Sequence, residues 1–316
     1  MTKIIAELCQ NHNGDVDILK KMVWSAADCG VTHAKIQTMF SDDLTLRSRF
    51  EQGVVSDDGI VTSIKRPYSL EFERLKGLDL NMKYHSVFID ECLAAGIIPL
   101  TTIFSRNRLG SIIDAGFKEI KIASYDCGSF PLIADIKNNF EHIYVSTGAT
   151  YDNEIETTAN LLQDQNFSLL HCVTIYPTPL DKLNLNRMDY LRKFTNTVGF
   201  SDHTNSSIDD INADIVALWK GADVIERHFT ILDSSQTKDG PVSINPEQLK
   251  RLVNYSKMSA DELYEYVQQI SNYELMFGSD THTLSDEELL NRDYYRGRFA
   301  SKTNGRTIYN WEEVNL

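Results

Sequence analysis

Two consecutive segments, "VGFSDHTNSS" (residues 198–207) and "GADVIERHFTILD" (residues 221–233), decide how this chain is expected to fold. Each contains a strand-like apolar run and carries a histidine where that run ends, His203 in the first segment and His228 in the second. Because side chains alternate between the two faces of a strand, Glu226 and His228 share a face. If the two strands are parallel neighbours, both imidazoles point into the same opening at the carboxyl ends of the strands.

Six similar strand-like runs precede these two, and amphipathic helical segments separate them. The eight predicted strands are residues 3–8, 33–38, 97–102, 119–124, 142–147, 168–173, 196–201 and 223–228. Several helical segments stop at a glycine before the next strand, as at Gly30, Gly96 and Gly221. This alternation predicts an α/β fold, a (β/α)8 TIM barrel with its catalytic groups at the carboxyl ends of the strands. The alternative is an open doubly wound sheet, but the sequence lacks the glycine-rich phosphate turn expected after its first strand.

The end of the chain differs in character from the rest. We expect residues 1–275 to form the barrel and residues 276–316 to form a short C-terminal extension. The last barrel helix is expected to run from about residue 246 to residue 272, and the helix before it is expected to begin at a serine cap, Ser206. The extension is polar, carries a capping-box pattern in "SDEE" (residues 285–288) and is too short to form an independent domain.

The composition of the chain limits which partners it can bind and where it is expected to work. The chain has 45 acidic and 31 basic residues, a net charge of −14, which disfavours binding to nucleic acid or to an anionic membrane. No segment approaches the roughly 18 uncharged apolar residues of a membrane span, and the amino terminus lacks the apolar core of a signal peptide. The five cysteines are an odd number without a C-x-x-C pair, so we expect reduced thiols and a cytoplasmic protein.

The two strand-end histidines suggest a metal site. Two imidazoles from adjacent strands, with a carboxylate nearby at Glu226 or Asp239, suit a borderline divalent cation such as Mn, Fe, Co or Zn. Water or substrate oxygens would complete the coordination. The alternative is that His203 and His228 are ordinary hydrogen-bonded core residues.

Other strand ends add cationic and hydroxyl groups to the same predicted rim. These residues are Lys35, Gln37, Thr101, Thr102, Lys121, Ser124, Ser146, Thr174 and Tyr176. A donor-rich, positive concavity in an acidic protein is what a phosphate or a phosphorylated carboxylate requires, although either lysine alone could be solvated. Glu7 lies inside an apolar strand, where an unpaired carboxylate costs several kcal/mol, and Lys35 on the next strand is its expected partner.

An ordered set of motifs carries a family resemblance. The segments "AELCQNHNGD", "AKIQT", "IKIAS", "STG", "LLHCVTIYPTP", "GFSDHT" and "ERHFT" together resemble the sialic acid synthases, or N-acetylneuraminate synthases, over roughly residues 3–255. The resemblance implies a TIM-barrel enzyme that condenses phosphoenolpyruvate with an N-acyl hexosamine, such as N-acetylmannosamine or a diacetamido-dideoxy sugar. The products would be a nine-carbon α-keto acid and phosphate. The resemblance also implies a homodimer.

The resemblance assigns expected roles residue by residue. His203 and His228 would ligate a divalent ion, Mn in the first instance with Mg or Co as alternatives. The residues around phosphoenolpyruvate would be Lys35, Thr102, Lys121, Ser124, Ser146 and Ser201, with Thr174 at the position where the family commonly has asparagine. Gln37, Tyr176 and Glu226 would face the sugar, and Glu7 or Asp126 would handle protons at the reacting carbons.

The sequence also departs from the family pattern. Tyr125 and Asp126 stand where the family usually has glycine and glutamate, and Val242 stands where it has a metal-proximal aspartate, for which Asp239 is the candidate substitute. The extension resembles the beginning of the family's antifreeze-like (SAF) domain, at which the given sequence ends. Either another chain supplies the acceptor-side lid, or the acceptor differs. The arginines of the extension, Arg296, Arg298 and Arg306, are then either acceptor-site residues or part of a solvated basic tail.

Three alternatives remain at this point. One is condensation of phosphoenolpyruvate with another aldose or with a sugar phosphate. Another is a barrel metallohydrolase, which the missing His-x-His pair on the first strand disfavours. The third is a non-catalytic barrel, or a subunit that depends on a partner, which the changes at Tyr125 and Val242 would favour.

Overall fold

A computed structural model describes residues 2–314 of the chain. Its strands are β1 (Lys3–Glu7), β2 (His33–Thr38), β3 (Val54–Val55), β4 (Val61–Ser63), β5 (Ile98–Ile103), β6 (Glu119–Ile122), β7 (His142–Ser146), β8 (Phe167–Cys172), β9 (Val198–Asp202), β10 (Val224–His228), β11 (Ser301–Thr303) and β12 (Arg306–Ile308). Its α-helices are α1 (Val16–Asp28), α2 (Arg49–Gln52), α3 (Tyr68–Lys76), α4 (Met82–Ala94), α5 (Leu109–Ala115), α6 (Phe130–Ile136), α7 (Asp152–Leu162), α8 (Arg187–Leu191), α9 (Asn212–Trp219), α10 (Pro246–Tyr255), α11 (Ala260–Val267) and α12 (Asp286–Tyr295).

Eight parallel strands close into a barrel in the order β1, β2, β5, β6, β7, β8, β9, β10, with β10 paired back to β1. Every predicted strand overlaps one of these eight, so the predicted (β/α)8 barrel is confirmed and the open-sheet alternative is wrong. The register places Glu7 beside both Lys35 and His228, and it places Glu226 beside Ser201. The polar strand ends therefore meet at one end of the barrel.

The barrel interior is layered. Toward the amino ends of the strands, five buried side chains form an apolar cluster, called here the floor: Ile5, Leu100, Tyr144, Leu170 and Val224. Two residues further along β1 and β10 come Glu7 and Glu226, which share the inward face because the side-chain period of a strand is two. The alternation thus builds a polar layer directly above an apolar one, and a larger cluster packs the helices against the outside of the barrel.

Two predicted helices differ from those observed. Helix α9 begins at Asn212 rather than Ser206, because residues 206–211 form turns in which Asn205 accepts the backbone N–H groups of residues 207 and 208. The single helix predicted over residues 246–272 is instead two helices, α10 and α11. The break lies where Ser259 caps α11 in a capping box with Glu262. Within residues 2–314, each helix is too short or too polar to cross a membrane.

The C-terminal residues return to the carboxyl end of the barrel. Helix α12 begins at the capping box predicted from "SDEE", in which Ser285 accepts the N–H of Glu288. Beyond this helix, the backbone N–H of Ala300 donates to the carbonyl of Asp43, and Asn310 donates to the carboxylate of Asp126. These bonds fix the extension against the loops that follow β2 and β6.

Buried His171 on β8 predicts how stability depends on pH. Burial lowers the pKa of His171 from 6.5 to about 4, although its bond to the carbonyl of Leu183 acts in the opposite direction. The unfolded chain therefore binds the extra proton between pH 6.5 and 4, and acidification through that range destabilises the fold. The loss due to this side chain is at most about 3 kcal/mol, since each pKa unit is worth about 1.36 kcal/mol.

We expect urea unfolding to show this loss between pH 7 and pH 4.5, with a smaller loss in His171→Gln. Other buried histidines add to the loss in both proteins, so the comparison between them isolates the contribution of His171. An equal pH dependence in the two proteins would contradict the assignment.

Candidate active site

A cavity of about 430 Å³ opens at the carboxyl end of the barrel. It gathers nearly all of the residues predicted to form a site: Glu7, Lys35, Gln37, Thr102, Lys121, Ser124, Asp126, Ser146, Tyr176, Ser201, His203, Glu226 and His228. Of the predicted rim residues, Thr101 and Thr174 are not among the described residues that line the cavity. Thr101 is completely buried, and its hydroxyl lies 2.8 Å from that of Thr38. Thr174 is also completely buried, and its carbonyl accepts a hydrogen bond of 2.7 Å from Asn291.

Four buried charges form the centre of the cavity. Lys35 contacts the carboxylate of Glu7, as expected from the sequence, and lies 3.7 Å from Glu226. Lys121 also contacts Glu226, which in addition accepts a hydrogen bond of 2.9 Å from Ser201. The two lysines and the two glutamates carry opposite charges in equal number, so the centre of the cavity is close to neutral before any ligand binds.

The pKa values at this centre reflect burial and pairing. Burial would raise the pKa of Glu226, but Lys121 and Lys35 outweigh it and hold that pKa well below its usual range. Burial and the neighbouring ammonium of Lys121 together lower the pKa of Lys35 to about 7, although the carboxylate of Glu226 opposes them. An anionic ligand would favour the charged form of Lys35.

The two strand-end histidines lie side by side in the cavity, at the ends of the neighbouring strands β9 and β10. Their ring centroids are 5.2 Å apart, and the two side chains are 5% and 8% exposed. Burial, followed for His203 by the neighbouring imidazole, lowers the pKa of His203 well below 6.5 and that of His228 to about 4. Both rings are therefore neutral near pH 7, which is the form that ligates metal ions.

Two further possible metal ligands, Cys9 and Asp239, lie beside His228. Ligand atoms of Cys9, His228 and Asp239 all lie within 4.8 Å of one another, and the thiol of Cys9 donates to Asp239 over 2.9 Å. Asp239, the substitute suggested by the sequence for the missing family aspartate, is thus beside His228. Cys9 was not predicted, because it lies in a turn after β1 whose sequence indicates only loop geometry. The nitrogen, oxygen and sulfur donors together fit a borderline divalent cation.

Several buried polar atoms of the site have no hydrogen-bond partner within residues 2–314. They are the hydroxyls of Tyr125, Ser146 and Thr174, Oε2 of Glu226 and Nδ1 of His228. Such atoms are rare in folded proteins and call for an explanation such as an ion or a ligand. Four of them, on Tyr125, Ser146, Glu226 and His228, belong to residues that line the cavity.

The outer part of the cavity carries a cationic group, called here the outer rim: Arg66, Arg74, Lys238 and Arg298. Glu71 contacts both Arg74 and Arg298. Burial would raise the pKa of Glu71, but these two guanidinium groups lower it to about 2. Burial, followed by the charge of Arg74, lowers the pKa of Lys238 to about 8. Glu71 thus pairs with two of the four cations of the outer rim.

Sequence reasoning missed most of the outer rim. Arg66, Arg74 and Lys238 come from the loop before α3, from α3 itself and from the loop after β10, none of which is a strand end. Arg298 was one of three arginines left open. It is 8% exposed and lines the cavity, whereas Arg306 is exposed and Arg296 binds Glu154 on another surface.

Aromatic rings and the C-terminal extension form one wall of the cavity. Tyr125 and Tyr295 stack with centroids 5.0 Å apart, and the ring of Tyr176 packs edge-on against His203 at 4.3 Å. The extension contributes Glu287, Asn291, Tyr295, Arg298 and Phe299 to the cavity lining. In the structure as described, this chain therefore supplies that wall itself.

The predicted acid–base residue Asp126 lines the same cavity. Its carboxylate accepts hydrogen bonds from Ser129 at 2.8 Å and from Asn310 at 3.0 Å. Burial raises the pKa of Asp126, and these hydrogen bonds only partly oppose that effect. Glu7 is held differently, because one of its oxygens accepts the backbone N–H of Cys9 at 2.6 Å and the other contacts Lys35.

Comparisons with known proteins agree with this architecture. The N,N'-diacetyllegionaminic acid synthase of Campylobacter jejuni is 32% identical over 79% of this chain and 74% of its own length. The N-acetylneuraminate-9-phosphate synthase of Drosophila melanogaster is 30% identical over 79% of this chain and 65% of its own length. The crystal structure of a sialic acid synthetase from Leptospira borgpetersenii shares the fold, with a TM-score of 0.69 at 24% identity over 93% of this chain and 90% of that chain. The model of the NeuB family matches residues 22–268, and the chain therefore belongs to the NeuB family.

Proposed function

We propose that this protein catalyses the divalent-metal-dependent condensation of phosphoenolpyruvate with an N-acyl hexosamine, which yields a nine-carbon α-keto acid and phosphate. The observation that carries the proposal is the single cavity that joins two buried lysines, unpartnered hydroxyls and two neutral histidines. The similarity to the Campylobacter relative, an N,N'-diacetyllegionaminic acid synthase, supports it. The proposal includes a homodimer, which light scattering on the purified protein tests.

The donor end of the cavity suits phosphoenolpyruvate. Lys35 and Lys121 lie close to the floor, where a carboxylate and a phosphate need cations because solvent cannot compensate their charge. The ammonium of Lys35 donates a hydrogen bond of 2.9 Å to the hydroxyl of Thr102. That hydroxyl can in turn donate its own proton to a bound anion. The free hydroxyl of Ser146 supplies one more donor to an anion.

The acceptor end suits the aldehyde of an open-chain sugar. His203, His228 and Asp239 would hold the divalent ion, which when bound would polarise the aldehyde oxygen as a Lewis acid. Gln37 and Tyr176 line the same cavity as the two histidines and would orient the sugar hydroxyls. The stacked rings of Tyr125 and Tyr295 would pack against its carbon skeleton.

The reaction requires one carbon–carbon bond and one water. Carbon 3 of phosphoenolpyruvate bonds to the aldehyde carbon, a water oxygen bonds to carbon 2, and the bond between carbon 2 and the phosphate oxygen then breaks. The aldehyde oxygen gains one proton and the attacking water loses one. The new hydroxyl on carbon 2 then loses the second water proton as the keto group forms, and the departing phosphate takes up a proton. Glu7, Asp126 and Glu226 are the carboxylates that line this cavity close to the predicted reacting carbons, and we assign the proton transfers to them.

The deciding experiment is phosphate release from phosphoenolpyruvate by metal-stripped protein, with and without added Mn²⁺ or Co²⁺. N-acetylmannosamine and diacetamido-dideoxy sugars are supplied in parallel. Metal-dependent release with one of these sugars supports the proposal. Failure with every sugar and both metals, in protein that still binds phosphoenolpyruvate, would overturn it in favour of a non-catalytic or partner-dependent barrel.

A second candidate acceptor is a phosphorylated N-acyl hexosamine, which the outer rim favours. Three arginines and a lysine line the cavity there, Glu71 contacts two of the arginines, and Asp239 and Glu287 are carboxylates that also line the cavity. Arg66 in particular contacts the rings of Tyr294 and Tyr295 at 5.2 and 5.5 Å, and within residues 2–314 no carboxylate pairs with it. The Drosophila relative is named as a synthase of a 9-phosphate.

Arg66→Gln tests this candidate. If the acceptor is phosphorylated, the variant is expected to lower kcat/KM for N-acetylmannosamine 6-phosphate by about tenfold or more, since a charge-assisted hydrogen bond contributes about 1.5–3 kcal/mol. The value for unphosphorylated N-acetylmannosamine should change much less. Arg306→Gln, at an exposed position outside the cavity, is the matched control. Equal effects of Arg66→Gln on both sugars would exclude the phosphate-binding role.

A further inference from the structure

We infer that the thiolate of Cys9 is a direct ligand of the divalent ion, together with His228 and Asp239. The ion that this site takes would then be a soft or borderline one, Zn²⁺, Co²⁺ or Fe²⁺, in preference to Mn²⁺ or Mg²⁺. The inference rests on the metal site of the proposed function and adds to it a ligand that changes its selectivity.

The geometry allows one ion to contact all three side chains. The ligand atoms of Cys9, His228 and Asp239 lie within 4.8 Å of one another, and Cys9 Sγ is 2.9 Å from Asp239 Oδ2. Protein ligands bind Zn²⁺ at about 2.0–2.3 Å, so donors around one ion lie within about 4.6 Å of each other. Small side-chain adjustments bring the three groups into that range.

An independent observation points to a ligand at the same place. His228 is 8% exposed, and its Nδ1 has no hydrogen-bond partner within the described part of the chain. Cys9 is equally enclosed, at 5% exposed. A buried nitrogen without a partner, beside a thiol and a carboxylate, is what a metal-binding cluster presents before its ion is bound.

The backbone at Cys9 is held in an unusual conformation that aims its side chain at this cluster. Its φ of 46° lies in the left-handed region, which few residues other than glycine adopt. The carboxylate of Glu7 fixes the turn by accepting the N–H of Cys9 at 2.6 Å. Such strain concentrates at functional positions, where the surrounding structure maintains it.

The chemistry of sulfur then decides which ion is favoured. Thiolate ligands select Zn²⁺ and other soft ions, whereas Mg²⁺ and Mn²⁺ prefer carboxylate, carbonyl and water oxygens. A coordinating thiol loses its proton to the ion, so the proton now shared with Asp239 would be released on binding. Of the other cysteines, Cys172 also lines the cavity, with its sulfur 3.7 Å from Nδ1 of His203.

The test is a Co²⁺ titration of the metal-stripped protein, followed by absorption spectroscopy without substrates. A thiolate ligand gives an intense sulfur-to-cobalt charge-transfer band in the near ultraviolet, and imidazole and carboxylate ligands do not. The wild-type protein is expected to show this band, and Cys9→Gly is expected to lose it while still binding Co²⁺. Glycine suits the left-handed backbone at this position, so the variant should keep the fold.

Cys172→Ser is the matched control and should keep the band. In competition with a chelating dye, Cys9→Gly should bind Zn²⁺ at least about tenfold more weakly, the loss typical of perturbed metal sites, with a smaller change for Mn²⁺. A wild-type protein without the band, a band that survives Cys9→Gly, or a band lost in Cys172→Ser instead would overturn the inference. Because no turnover is required, these outcomes are independent of whether the proposed condensation occurs.

Discussion

His228→Ala is expected to lower metal-dependent phosphate release from phosphoenolpyruvate by at least about a thousandfold. His228 lies between His203 and the pair formed by Cys9 and Asp239, so its loss removes the donor that connects them. Lewis-acid assistance contributes several kcal/mol to a reaction, and about 4 kcal/mol corresponds to about a thousandfold in rate. Phosphate release and metal content, measured on the same preparation, check the expectation.

The control for this variant is His142→Gln. His142 lies at the start of β7, at the opposite end of the barrel, where its ring bonds Ser168 at 2.8 Å. Its replacement should leave phosphate release nearly unchanged. A His228→Ala protein that retains both its metal and its activity would show that the histidine has only a structural role.

Arg227→Met is expected to lower the free energy of unfolding by about 3–5 kcal/mol, the cost of breaking a buried ion pair. Arg227 is fully buried on the outward face of β10, where it contacts the carboxylate of Asp202 on β9. It also donates to Thr204 at 3.0 Å and lies 3.8 Å from Asp214. Without the guanidinium, Asp202 would remain buried without a counter-charge.

Denaturant unfolding of Arg227→Met and of Arg251→Met measures this effect against a matched pair. Arg251 contacts Asp210, but both side chains are partly exposed, at 44% and 39%. Exposed ion pairs contribute about 0–1 kcal/mol, so Arg251→Met should change stability by no more than that. Equal losses in the two variants would mean that the buried network does not stabilise the junction of β9 and β10.

The sequence was sufficient to predict the barrel, because each strand is a short apolar run bounded by glycines and polar turns. All eight predicted runs overlap a barrel strand, and no end differs by more than two residues. The prediction was weaker for helices, since propensity does not show where a cap interrupts a continuous amphipathic pattern. Ser259 and Glu262, in "SADE" (residues 259–262), have the same S-x-x-E spacing as "SDEE", but the continuous amphipathic pattern around them favoured a single helix.

The inner part of the site was predictable for the same reason as the fold. Alternation along β9 and β10 assigns His203, Glu226 and His228 to the interior once the barrel is assumed. Cys9, Arg66 and Lys238 could not be placed in this way, because they lie on turns and loops whose conformation depends on tertiary contacts. The role of the extension was equally hidden, since Tyr295 and Arg298 reach the cavity only through the path of the chain after α11.

The outer rim has a consequence for the kinetics of association. An anionic substrate approaching this protein meets two opposing fields, the net charge of −14 and the local cluster of Arg66, Arg74, Lys238 and Arg298. The Debye length is about 30 Å at 0.01 M salt and about 8 Å at 0.15 M, so only the nearby cluster acts at physiological ionic strength. Added salt would thus screen the repulsion by the protein's net negative charge before it screens the attraction by the outer rim. Over that range the association rate constant of an anionic substrate, measured by stopped flow, should rise with ionic strength rather than fall.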